Sequence, residues 1–243
     1  MKTIKLNAID STNSFLKDLA LNTEVENFTV VVTNQQLKGR GQQGSSWVSE
    51  PFKSLIFSVF VSFKKLNVLD NRYLNFAVSL AIFEALNEES IPGVSIKWPN
   101  DILSGNKKLC GILIENSLKG SEISTSVIGI GLNVNQTSFP GSLKKVSSLK
   151  LLGNKDFKIE KLLENIVSKL KFKIKMLDSK DFKTLEAEYL KVLYRKNIPT
   201  MFKNSQDVLF MGIISGISKE GKLQIVLEDE SIQEFGIKEV SFL

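Results

Sequence analysis

The chain is 243 residues long, 42% hydrophobic and 24% charged, with a formal net charge of +6. That length can bury a full core and suggests one large domain with a small second one, and no run approaches the roughly 18 uninterrupted apolar residues of a membrane span. With no histidine and a single cysteine, the chain excludes an internal disulfide, Ser-His or Cys-His catalysis and any histidine-ligated metal, leaving chemistry to Lys, Arg, Asp, Glu and backbone dipoles.

Residues 2–6 read as a short strand. Asp10-Ser11-Thr12-Asn13 follows, with side chains able to cap a helix ahead of Phe15, Leu16, Leu19 and Ala20 at helical spacing. A helix starts here, and its free N–H groups can also hold a polar ligand group. Phe28 to Thr33 is a strand leading into Gln36-Leu37-Lys38-Gly39-Arg40-Gly41-Gln42-Gln43-Gly44-Ser45-Ser46-Trp47, and Ser54 to Ser62 is the strand beyond it. Glycines at 39, 41 and 44 let this loop close around a small ligand, and Arg40 places a guanidinium fork where the main chain comes nearest a phosphate or carboxylate. Trp47 ends the loop as an apolar anchor. By itself, Gly-Arg-Gly is more often a solvated surface turn.

Leu74 to Leu86 is apolar nearly all round and reads as a buried helix, ending before Ile91-Pro92-Gly93. Strand-like runs follow at Val94–Trp98, Asp101–Leu103, Lys108–Glu115 and Glu122–Val134, then helices at about 159–177 and 181–194. Cys110 lies inside an apolar run and reads as a packed core thiol. A boundary falls near Arg195-Lys196-Asn197-Ile198-Pro199. Beyond it, short strands at about 207–217, 222–228, 231–235 and 238–242 make a small β-barrel that should dock on the main body. The order predicts an α+β fold with a mixed or antiparallel sheet, divided as 1–195 and 196–243. The excess positive charge fits an anionic ligand, although most of it falls on solvated helix faces.

Five signatures stand in order on these elements: Asp10-Ser11-Thr12-Asn13, the glycine loop, Lys97-Trp98-Pro99-Asn100-Asp101, Lys108-Leu109-Cys110-Gly111-Ile112-Leu113-Ile114-Glu115, and Gly129-Ile130-Gly131-Leu132-Asn133-Val134. In this order and spacing the chain resembles the biotin protein ligases, closely over about residues 10–135. The resemblance implies a mixed β-sheet with helices as a ligase-like catalytic domain over 1–195, and an SH3-like barrel over 196–243. It also implies two reactions: biotin and Mg-ATP give biotinyl-5′-adenylate and pyrophosphate, then a lysine of a biotin carboxyl carrier protein or domain of a biotin-dependent carboxylase attacks the mixed anhydride. Biotin, ATP and Mg2+ are the ligands implied. Such chemistry needs no histidine, because the attacking carboxylate is already an anion and the first step requires charge neutralisation and alignment.

By the same resemblance Lys108, Arg40 and Asp101 are catalytic. Ser11, Thr12 and Asn13 hold the ureido ring of biotin, and Gln36, Arg40, Gly41, Gln42, Lys108 and Gly111 complete its site. Arg40, Trp47, Lys97, Asn100, Lys108, Ile112 and Asn133 bind ATP, with Asn133 reading the adenine and Trp47 covering it. Asp101 acts near the metal or the attacking amine and is the expected Mg2+ ligand. Two departures from the family pattern stand out. Where the loop usually continues with arginines, this chain has Gln42, Gln43, Ser45 and Ser46, so phosphate neutralisation falls on Arg40, helped by Lys38. Asp10-Ser11-Thr12-Asn13 begins ten residues from the start, with no room ahead of it for a DNA-binding helix-turn-helix. The expectation is therefore a monofunctional, cytoplasmic ligase without specific DNA binding or membrane association, and a homodimer stays open. One alternative is a lipoate or octanoate protein ligase, against which the Gly-Arg-Gly and Lys-Trp-Pro-Asn-Asp signatures argue. The other is a basic nucleic-acid-binding module, but Phe57, Phe60, Phe76 and Phe83 sit in apolar runs that read as core rather than as exposed stacking platforms.

Overall fold

Period-two alternation decides the central layer. The computed structural model describes residues 2–243, so Met1 lies outside the described residues. In strand β5 (Ser54–Asn67), Leu55, Phe57, Val59 and Val61 join the large core, whereas Phe60 packs with Leu16, Val31 and Val127 in a separate cluster. The two sets belong to opposite faces of one sheet.

That sheet has seven strands, ordered β1 (Thr3–Ile9), β2 (Val30–Gln36), β5, β9 (Glu122–Asn133), β8 (Lys107–Lys119), β7 (Asp101–Ser104) and β6 (Val94–Lys97). β1 and β2 run parallel, joined by helix α1 (Thr12–Asn22) as a crossover, and the other neighbours are antiparallel. The expected mixed sheet of an α+β fold is thus present. α1 covers one face through Leu16. The other face carries α2 (Asn71–Glu88), itself covered by α4 (Ile159–Asp178) and α5 (Phe182–Lys191), with the five-residue α3 (Leu149–Gly153) before them. Lying between sheet and helices, α2 is apolar on all sides, whereas α4 buries one stripe, Leu162, Leu163, Ile166, Val167, Leu170, Ile174 and Leu177, with Lys173 beside it. Among the described residues no helix is long and apolar enough to cross a membrane.

The glycine loop between β2 and β5 is more regular than a bare loop. It forms a two-residue antiparallel ladder, β3 (Gly39–Arg40) against β4 (Ser46–Trp47), around a 3-10 turn at Gln42–Gly44. Gly44 sits at φ 80°, in the left-handed region that glycine enters without a Cβ penalty.

After α5 the chain makes a five-stranded antiparallel sheet, ordered β13 (Ile232–Phe235), β12 (Leu223–Val226), β11 (Leu209–Ile217), β10 (Pro199–Asn204) and β14 (Val240–Phe242), compatible with an SH3-like barrel. β10 was not among the expected strands, because Pro199 looks like a breaker; it is the first residue of the strand, a position that proline tolerates. Phe202, Ile214, Leu223, Ile225 and Phe235 run into the large core. Polar contacts stitch the seam: Trp98 Nε1 donates to Gly221 O at 3.0 Å and Arg72 Nη1 to Ser218 O at 2.7 Å.

Candidate active site

Glycines on the two central strands make a bare floor. Gly111 on β8 pairs with Gly131 on β9, and Gly129 faces Leu113 two residues along. A Cβ at Gly131 would come 2.5 Å from Trp47 Cε2, and one at Gly111 3.2 Å from Trp47 Cζ3. A Cβ at Gly129 would collide with Asn13 Oδ1. These positions let the indole and the Asn13 amide lie against the sheet. Between the floor, the start of α1 and the glycine loop is a narrow cavity of about 70 Å³.

The start of α1 is held by a closed polar network. Ser11 caps the helix, accepting from Ser14 N at 3.4 Å. Thr12 N and Oγ1 donate to Gln36 Oε1 at 2.9 and 3.1 Å. Ser58 Oγ donates to Asn13 Oδ1 at 2.5 Å and lies 2.7 Å from Thr12 Oγ1, while Asn13 Nδ2 donates to Glu115 Oε2 at 2.9 Å. With Ser11, Thr12, Asn13 and Ser58 buried, these groups are oriented before any ligand arrives.

Glu115 also holds the charges at the mouth. Its carboxylate pairs with Lys17 Nζ at 2.9 Å and Arg40 Nη2 at 3.0 Å. Burial pushes the Glu115 carboxyl up, but the hydrogen bonds from Lys17 and Asn13 and the Arg40 charge together hold it below the ordinary carboxylate value. At the opposite rim, Lys108 Nζ stands 2.6 Å from Asp101 Oδ1 and 5.8 Å from the Trp47 ring centroid.

Every residue of the expected biotin set borders the cavity. Of the expected ATP set, Arg40, Trp47, Asn100, Lys108 and Ile112 border it, and Lys97 and Asn133 do not. Lys97 lies 4.9 Å from the Phe242 ring centroid, where burial lowers its pKa. Asn133 is buried and donates from Nδ2 to Ser147 O at 3.1 Å. Asp101 reaches the site through its ion pair with Lys108. Cys110 is fully buried and burial pushes its thiol up, as befits a core residue. Sequence reasoning gave no site role to Ser58, nor to Glu115 and Gly129, which it named only as members of two signatures. Period two would have found Glu115, on the same face of β8 as Gly111 and Leu113.

Three buried polar atoms here have no hydrogen-bond partner among the described residues: Asp101 Oδ1, which has its ion pair with Lys108, and Trp47 Nε1 and Gln42 Oε1, which a ligand with complementary groups would complete. Among the described residues no cluster of three or more His, Cys, Asp or Glu side chains could hold a metal. The one carboxylate beside Lys108, Asp101, fits a Mg2+ ion bound chiefly through substrate phosphates and water.

A sequence model of the Biotin/lipoate A/B protein ligase family matches residues 6–133. The bifunctional ligase/repressor BirA of Bacillus subtilis is 32% identical over 142 residues, covering 58% of this chain and 43% of that protein. A biotin–[acetyl-CoA-carboxylase] ligase of Paracoccus denitrificans is 32% identical over 127 residues, 51% of each chain. The chain therefore matches about half or less of the length of these curated relatives. In three dimensions it is similar to the biotin protein ligase from Aquifex aeolicus in complex with biotin and ATP, with a TM-score of 0.81, 28% identity, and coverage of 100% of this chain and 98% of that one.

Proposed function

The chain belongs to the biotin/lipoate A/B protein ligase family, and from that premise we propose that it is an ATP-dependent biotin protein ligase. In the first step a carboxylate oxygen of biotin attacks the α-phosphorus of ATP and pyrophosphate leaves. In the second, an acceptor lysine amine attacks the acyl carbon of biotinyl-5′-adenylate, loses a proton, and AMP leaves. The acceptor is a biotin carboxyl carrier protein or domain of a biotin-dependent carboxylase.

The observation that carries this reading is the meeting, in one cavity, of a preorganised polar helix start, a glycine loop bearing Arg40, and Lys108 over a glycine floor. The Ser11-Thr12-Asn13 network with Gln36 and Ser58 offers fixed donors and acceptors to the ureido ring. Lys108, oriented by Asp101 and roofed by the Trp47 indole, neutralises the carboxylate and α-phosphate as they approach, where exclusion of water strengthens the effect. Arg40 lies ready at the mouth to pair with the phosphate. A Mg2+ ion entering with the nucleotide, with Asp101 to hand, supplies further neutralisation when bound. The Aquifex enzyme's complex with biotin and ATP supports these two ligands. The division into a catalytic unit over 1–195 and an SH3-like unit over 196–243 belongs to the same proposal, supported by the separate five-stranded sheet.

The test is to offer the purified chain Mg-ATP with biotin, lipoate or octanoate and to measure pyrophosphate. Release with biotin alone is expected. Release with lipoate or octanoate and none with biotin would move the chain to the sister activity.

A further inference from the structure

Three basic side chains tie the glycine loop to its surroundings. Lys38 pairs with Asp10 at 2.8 Å and Arg40 with Glu115 at 3.0 Å. The third anchor comes from the far sheet: Lys238 Nζ donates to the Gln43 carbonyl at 2.8 Å, across 195 positions of sequence. Gln43 is the loop's tip, inside the 3-10 turn at φ 48°. Its neighbour Gln42 borders both the active-site cavity and a second cavity of about 730 Å³ between α2, Trp98 and the C-terminal sheet. The tip is therefore the point at which the loop meets the rest of the molecule.

Lys238 is itself held in place. It sits at φ 68° in a turn closed by Gly236 N donating to Glu239 Oε2 at 2.6 Å and by Glu239 N donating to Gly236 O at 3.1 Å. A lysine in the left-handed region persists where its surroundings over-determine it. Lys38 and Arg40 each face a carboxylate, whereas among the described residues Lys238 has no carboxylate within ion-pair distance.

We propose that Lys238 is a positioning residue that ties the tip of the glycine loop to the C-terminal sheet and so keeps the acyl-adenylate enclosed between the two half-reactions. The proposal rests on the ligase reading. A mixed anhydride reacts with water and with any amine, so it survives only while a closed loop excludes both. In this chain the loop carries Gln42 and Gln43 rather than further cations, and its closure leans on an anchor supplied from elsewhere. An ammonium-to-carbonyl hydrogen bond is charge-assisted, and losing one at an exposed site corresponds to about a tenfold change.

The experiment compares wild type, Lys238→Ala and Lys238→Arg, each given biotin and Mg-ATP, following pyrophosphate release, dissociation of the adenylate, and biotin labelling of an unrelated lysine-rich protein. Lys238→Ala is expected to melt at the wild-type temperature, release adenylate about tenfold faster and label the bystander more, with Lys238→Arg restoring retention. Wild-type retention in Lys238→Ala, or an arginine variant as leaky as the alanine one, overturns the proposal. Trypsin cleavage after Lys38 and Arg40 reads the anchor without any substrate. Faster cutting in Lys238→Ala supports it and equal cutting refutes it, even if wild type releases no pyrophosphate and the ligase reading itself fails.

Discussion

Lys108 and Asp101 face each other at 2.6 Å on neighbouring strands, with the Lys108 side chain about one-third exposed. The pair is half-buried, so it contributes to stability as well as bordering the cavity. Lys108→Ala should lower biotin-dependent pyrophosphate release by about 10²–10³-fold, the range for removing a preorganised electrostatic stabiliser. Its unfolding midpoint should fall modestly, since Asp101 loses its ion partner, but too little to account for the loss of activity, and a variant with normal release would remove Lys108 from the mechanism. Gly131 gives a steric counterpart. Its missing Cβ is what lets the Trp47 ring lie on the sheet, so Gly131→Ala must push the indole away at a cost of about 1–3 kcal/mol. Nucleotide affinity measured by calorimetry should fall roughly tenfold or more, and unchanged affinity would mean that the indole's position is irrelevant to binding.

At the scale of elements, three helices are clamped by one charge. Lys173 on α4 is 2% exposed, and its Nζ lies 2.6 Å from Glu84 on α2 and 2.6 Å from Glu188 on α5. Burial lowers its pKa, but the hydrogen bonds to the two carboxylates outweigh this and raise it above the ordinary 10.5. A raised pKa contributes stability that is fully present below the ordinary value and is lost as pH rises through the folded one. Melting temperature should therefore drop above about pH 10.5. Lys173→Met should lack that part of the alkaline decline and lose about 3 kcal/mol at neutral pH, because two carboxylates are left facing each other. Melts from pH 7 to 12 compare the two.

The same scale shows how far the sequence could be read. β5 and α2 were legible as long apolar runs, and α4 as an apolar stripe at helical spacing. α3 was not, being five residues long, and β10 was hidden behind Pro199. Within the site, most roles fell on residues inside contiguous motifs, although Glu115 and Gly129 there went without one, and Ser58 was missed because a serine in an apolar strand reads as filler until α1 is laid against it. Lys97 and Asn133 border no part of the cavity because strand geometry turns Lys97 toward Phe242 and Ser147 takes up the Asn133 amide. Neither partner is near in sequence, so no local pattern could announce it.

For the whole molecule, the seam between the two sheets is the decisive contact. Trp98, within the Lys-Trp-Pro-Asn-Asp segment, donates to Gly221 in the C-terminal sheet, and Arg72 bonds Ser218 beside it. Deleting residues 198–243 would turn the Trp98 indole N–H out to water and would uncover apolar surface now covered by the C-terminal sheet. The expected product keeps the circular dichroism of a folded α+β body, melts roughly 5 °C lower or more, and releases pyrophosphate slowly. A truncated chain with full two-step activity would show that the C-terminal sheet serves neither the loop nor the acceptor.

The two tryptophans stand at the two places where this molecule should change, Trp47 on the ligand floor and Trp98 on the seam. The chain is therefore its own optical probe. In a Trp98→Phe protein, ultraviolet emission comes from the indole over Gly111 and Gly131 alone, and its quenching or shift on adding nucleotide is a direct titration of the cavity. In the reciprocal Trp47→Phe protein, the emission follows the joint between the sheets, so a red shift there under mild denaturant, ahead of the loss of helix signal, would time the parting of the C-terminal sheet from the body.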